Sequence, residues 1–209
     1  MKTNFKNVAR LLAAPAALSV VLPAAAHHPM GGATPGTLLE GLLSGFGHPV
    51  IGFDHLLFIV AVGIAGYYFG QRIAMLATFL AGALAGTLLH LQAPDVPYAD
   101  AWVAASLILL GLLFFRHSDF LKSKAAIALF AVSGVVHGYA YGEAIVGAES
   151  TPLLAYLCGF TLVQFAIALC GYAVAHYIAT KKPAFELLKA AGAALGAVGT
   201  GFLLFTLAA

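Results

Sequence analysis

The sequence predicts an all-α polytopic membrane helix bundle, with six transmembrane helices after a cleaved N-terminal signal peptide. Three observations lead there. Of 209 residues, 62% are hydrophobic and 9% charged, with mean hydropathy +0.96, whereas a soluble domain carries about 25% charged residues. Long apolar runs recur, separated by short polar segments. The basic and acidic residues fall on alternate segments. A surface so poor in charge cannot face water, so the bilayer is the expected solvent. A net charge of +2 is too small to imply nucleic acid.

The first element is a processing signal. Lys2, Lys6 and Arg10 form a basic region, residues 11–22 a short apolar run containing Pro15, and Ala24-Ala25-Ala26 an A-x-A cleavage site. Residues 1–26 are therefore expected to leave the mature chain, the alternative being an uncleaved anchor. Residues 27–49 follow as a periplasmic segment. Within it, residues 34–46 suit a short amphipathic helix with Leu38, Leu39, Leu42, Leu43 and Phe46 on one side, lying on the membrane or capping the bundle.

Residues 50–209 form the expected transmembrane domain. Apolar runs at 50–70, 72–92, 99–115, 124–146, 151–179 and 184–208 give six spans, since a hydrocarbon core about 30 Å thick needs around 20 helical residues. The run at 99–115 is the shortest. Prolines 94 and 97 break the chain before it.

Charge sets the direction. With an exported N-terminus, the cytoplasmic segments hold Arg72, Arg116, Lys122, Lys124, Lys181, Lys182 and Lys189. The outer segments hold Glu40, Asp95, Asp100 and Glu149 and no basic residue. This is a complete positive-inside pattern, which predicts an inner-membrane protein with both mature termini periplasmic.

Small residues mark helix contacts. Gly82 and Gly86, and Gly192 and Gly196, have the spacing of close packing; Gly134, Gly138 and Gly142 form a strip beside His137 and Glu143, where local unwinding would free backbone carbonyls as ligands. Cys158 and Cys170 read as small buried hydrophobes.

Ionisable groups inside spans carry the functional argument, because each costs roughly 2.5–3.5 kcal/mol on insertion scales. Asp54 and His55 open the first span, His137 and Glu143 lie in the fourth, and His90 ends the second. Topology brings all of them into the outer half. Pro49 and Gly52 permit a bend that carries His48 towards Asp54 and His55. Imidazole plus carboxylate suits a borderline divalent ion such as nickel, cobalt or zinc, and the absence of thiolate argues against Cu(I) or iron–sulfur. His90 alone also reads as an interhelical hydrogen-bonding residue. Gln164, mid-span, is expected to bond between helices or to line the path. His27-His28 would begin the mature chain and could capture metal loosely.

At these residues the chain resembles the HupE/UreJ family of bacterial membrane proteins. The likeness rests on HPVIGFDH at 48–55, LLFIVAVGIAG at 56–66 and HGYAYGE at 137–143, and extends over the mature chain. The resemblance implies uptake of nickel, or sometimes cobalt, for hydrogenase or urease maturation, and implies that His48, Asp54, His55, His137 and Glu143 are the functional positions. It also implies maturation proteins as partners. The expectation is a secondary, non-ATP permease with a transported Ni2+ or Co2+ ion and no prosthetic group. There is no phosphate-binding GxxxxGK[ST] loop. The runner-up is a membrane metallochaperone or sensor. An intramembrane hydrolase using Ser133 and His137 is the third reading, weakened by the lack of HExxH or a nucleophile elbow.

Overall fold

A computed structural model describes residues 33–92, 96–181 and 183–208. The expected signal peptide and the His27-His28 pair lie outside these residues. A capping box opens the first helix. Thr37 Oγ1 accepts the Glu40 backbone N–H at 3.2 Å, and the Glu40 carboxylate accepts the Thr37 N–H at 3.1 Å, satisfying donors that a helix start leaves orphaned.

Helix α1 spans Leu38–Ile51 and α2 spans Phe53–Tyr68, the two axes bent by 80° about Gly52. Then come α3 (Arg72–His90), α4 (Ala99–Phe115), a 3-10 turn (Asp119–Lys122), α5 (Lys124–Gly142), a second 3-10 turn (Glu143–Ile145), α6 (Ser150–Ala179) and α7 (Ala184–Ala208). No strand occurs among the described residues. Among the described residues, four helices are long and apolar enough to cross a bilayer, and the bent α1–α2 pair makes a fifth candidate. The segment expected as the third span is α4, whose 17 residues rise about 26 Å, short of the hydrocarbon core.

The helices associate as α1 and α2 with α6, α3 with α5, and α4 with α7. Glycine makes these contacts close. A side chain at Gly41 or Gly45 would strike the α6 backbone at Pro152 O or Tyr156 O, at 2.3 and 2.4 Å. One at Gly63 would strike Ala168 O at 2.0 Å. The first two contacts run the same way along both helices, and Tyr67 lies against Tyr172 and His176 further on. The broken pair thus follows α6 from end to end.

The interior is largely apolar with a set of polar groups held inside it. These include Ser44, His48, Asp54, His55, Thr87, Ser133, His137 and Gln164, while large apolar side chains are exposed on every helix but α2. Apolar groups facing out and polar groups kept inside are what lipid requires.

Three expectations change. The helix foreseen over 34–46 begins at Leu38 and continues through Pro49 to Ile51. Its leucines turn outward (Leu38, Leu39 and Leu43 are 54–61% exposed) and its small face, Gly41, Ser44 and Gly45, turns to α6. The Gly134–Gly142 strip does not unwind. It packs on α3, where Gly134 and Gly138 lie against Phe79 and Ala83, and the Gly138 carbonyl accepts from Thr87 Oγ1 at 2.8 Å. Cys158 and Cys170 are exposed rather than buried.

Candidate metal centre

The break at Gly52 builds the centre. Gly52 donates its N–H to His48 O at 3.0 Å, closing α1, and serves as the N-cap of α2. A Cβ there would lie 2.6 Å from His55 Cδ2, so only glycine lets α2 start with His55 turned inward. Asp54 falls in the first turn of α2 and is 2% exposed. Its Oδ1 accepts the His55 backbone N–H at 2.8 Å, and the positive end of the helix dipole offsets its charge. A carboxylate is held in the interior by the helix it begins.

Three imidazoles gather beside it. His48, His55 and His137 are 3%, 2% and 0% exposed. The His48 and His55 rings are 5.8 Å apart, those of His55 and His137 4.9 Å. Nδ1 of His55 and Nδ1 of His137 are 2.8 Å apart. Tyr141 lies against both His55 and His48, at 4.5 and 5.0 Å between centroids. Phe58 and Phe79 wall off His137.

Hydrogen bonds from outside the cluster orient the rings. Ser106 on α4 donates its hydroxyl hydrogen to Val103 O at 2.7 Å. It therefore accepts from His137 Nε2–H, 2.9 Å away. With its proton on Nε2, a neutral His137 has a lone pair on Nδ1, so the His55 Nδ1–H is the donor between the two. Tyr156 donates to Tyr141 O at 2.8 Å and so accepts from His48 Nδ1–H at 3.3 Å. His48 and His55 are left with Nε2 as the lone-pair nitrogen. Such outer partners fix the tautomers of metal-binding histidines.

The His55–His137 spacing suits an ion. Two nitrogens each about 2.1 Å from a metal, at right angles, are about 3.0 Å apart. Among the described residues, no three His, Cys, Asp or Glu side chains close on one point.

Glu143 is not brought to this cluster. It is exposed just past α5, in a separate cavity of about 550 Å³ shared with His90, Tyr98, Asp100 and Tyr139. The reason is angular: six helical residues from His137 carry the chain about 240° round the axis. His90 stands with Glu143, its ring 4.4 Å from Tyr139 and its Cβ 2.5 Å from where a Cβ at Gly142 would sit. The hydrolase pairing is not formed either. Both ring nitrogens of His137 are engaged by His55 and Ser106.

Ser106, Tyr141 and Tyr156 had no signal as site residues. Tyr141 sits within the 137–143 motif; the other two are single polar groups in apolar helices.

A model of the HupE/UreJ protein family matches residues 15–202. Protein HupE of Rhizobium leguminosarum bv. viciae is 25% identical over 187 residues, covering 88% of this chain and 93% of that protein. No solved structure matches. With a family match that spans both motif segments and nearly every helix, the chain belongs to the HupE/UreJ family of membrane proteins.

Proposed function

We propose that this protein is a secondary permease that carries a divalent transition-metal ion, nickel or cobalt, from periplasm to cytoplasm for metalloenzyme maturation. One observation carries the reading: His48, Asp54, His55 and His137 converge, buried, at the break of a helix. Broken membrane helices place ion sites at their interruptions. An open set of two or three imidazoles holds an ion weakly, as permeation requires. Tightly caged ions do not move on.

In this reading Glu143, Asp100 and His90 form an outer vestibule that attracts the hydrated cation. The ion sheds water as it reaches His48 and His55. It enters between His55 and His137 as the His55 hydrogen shifts from Nδ1 to Nε2, and the Asp54 carboxylate, one residue away, compensates its charge. His27 and His28 would add a loose capture site at the mature N-terminus. The ion is cargo, and the reading includes no prosthetic group. Hydrogenase or urease maturation proteins are the expected recipients.

The test is labelled nickel uptake by cells expressing His55→Ala or Asp54→Ala. Uptake is expected to fall to background in both. Wild-type uptake in both refutes the reading. Nickel counterflow in proteoliposomes distinguishes a permease from a metallochaperone, which binds the ion without exchanging it across the bilayer.

A further inference from the structure

Gln164 lies on the α6 face that carries Tyr156, Phe160 and Ala168. Tyr156 is bonded to His48, and Phe160 packs on Tyr141, so this face adjoins the imidazole cluster. Gln164 stands one turn past Phe160, about 6 Å further along the axis. It is 0% exposed, and neither Oε1 nor Nε2 has a hydrogen-bond partner among the described residues. The interhelical bond expected of it is therefore not made. A buried carboxamide left unsatisfied is costly, and native proteins retain such groups for a reason. On the other side of the cluster, Ser44 lies one turn before His48 on α1, with a buried Oγ that likewise has no partner among the described residues.

We infer that Gln164 is the next ligand on the route: its amide oxygen receives the divalent cation as it leaves the imidazoles. The inference rests on the permease reading. A neutral oxygen donor binds a borderline ion less firmly than imidazole does, so it lowers the barrier to leaving without trapping the ion. Ser44 is the matching oxygen on the near side. The partner chemistry is a divalent cation with part of its water shell, since a carboxamide both accepts from bound water and donates to it.

The probe is Co2+, with the full chain purified and reconstituted in proteoliposomes. Gln164→Met keeps the length and removes the amide. It should bind Co2+ as wild type does, with an unchanged visible cobalt spectrum, yet transport about tenfold more slowly, the loss expected for one bond to a charged group. Gln164→Glu, which keeps an oxygen donor but binds the ion more firmly, should transport faster than the Met variant and become pH-dependent, slowing as the new carboxyl is protonated. Wild-type transport by Gln164→Met overturns the inference, and so does an equal loss in the Met and Glu variants, which marks a packing role. If the Met variant does not fold, the Glu variant decides: transport without the new pH dependence overturns the inference. His55→Ala is the control. If it transports normally, the permease reading itself fails. If it is inactive while Gln164→Met is normal, only the role of Gln164 is lost.

Discussion

Ser106 Oγ lies 2.9 Å from Nε2 of His137, and the two residues come from different helices, α4 and α5. Because the serine hydrogen is committed to Val103 O, this contact decides which His137 nitrogen faces His55. A helix that contributes no imidazole thereby sets the tautomers of the cluster.

Removing that contact should loosen the site without emptying it. Ser106→Ala frees His137 to rotate and change tautomer. Loss of a partner of this kind costs about 10–100-fold in affinity or activity. Nickel uptake by Ser106→Ala should fall within that range, while Ser106→Thr, which keeps the hydroxyl, should stay near wild type. Equal uptake in both variants and wild type would show that the tautomer does not matter.

Ion binding should move the shared hydrogen rather than release it. The hydrogen between His55 and His137 engages the lone pair that a common ion would need. A neutral imidazole presents that lone pair on Nδ1 once its hydrogen is carried on Nε2. Co2+ affinity should therefore be flat with pH while the imidazoles are neutral and fall where acid protonates them. Calorimetry in buffers of different ionisation enthalpy measures this directly, with almost no net proton release expected on the flat part. Release of about one proton per ion there would show that an imidazole is charged before the ion binds.

Gly52→Ala should abolish uptake while sparing the fold. The backbone at Gly52, with φ −69° and ψ 97°, is open to alanine. The obstacle is the His55 ring, 2.6 Å from the added Cβ. Either His55 turns away or α2 shifts, and in both cases the His55–His137 contact is lost. Size-exclusion profiles should match wild type, with uptake near background. Normal uptake would mean that His55 can move aside without functional cost.

Much of this could be read in advance, for identifiable reasons. Apolar length located the segments, and Pro49 with Gly52 located the bend. The continuation of the first span back to Leu38 was hidden because Leu38, Leu39 and Leu43 look like a core-facing side. In lipid the rule reverses: leucines face outward and the small residues Gly41, Ser44 and Gly45 face in. Glu143 was grouped with His137 by depth, although helical geometry turns them apart. Ser106 was illegible because one serine in an apolar helix has no periodicity, and its role exists only once α4 meets α5.

The glycine contacts predict stability. A Cβ at Gly138 would sit 2.0 Å from the Ala83 carbonyl, so Gly138→Ala must push α3 from α5. Overpacking of this kind costs about 1–3 kcal/mol. Gly196, where a Cβ meets nothing within 4 Å, is the control. Thermal unfolding in detergent should show a lower midpoint for Gly138→Ala and no loss for Gly196→Ala. Equal midpoints would mean that the helix pair tolerates separation.

The two polar regions should separate kinetically. Glu143 is exposed and lines its cavity, whereas His55 is 2% exposed; on the permease reading the first acts on the ion before dehydration and the second after it. Removing a vestibule charge lowers the local cation concentration, so Glu143→Gln should raise KM for nickel with a smaller change in maximal rate. The effect should shrink at high salt, because exposed charges are screened beyond about 8–10 Å at physiological ionic strength. His55→Ala should instead remove the maximal rate at every nickel and salt concentration, since no excess of ion replaces a missing ligand inside the bundle. A Glu143→Gln variant that loses its maximal rate independently of salt would place Glu143 on the same dehydrated path as the imidazoles. The chain would then have to move Glu143 about the α5 axis during transport, because its position beyond Gly142 faces the other cavity.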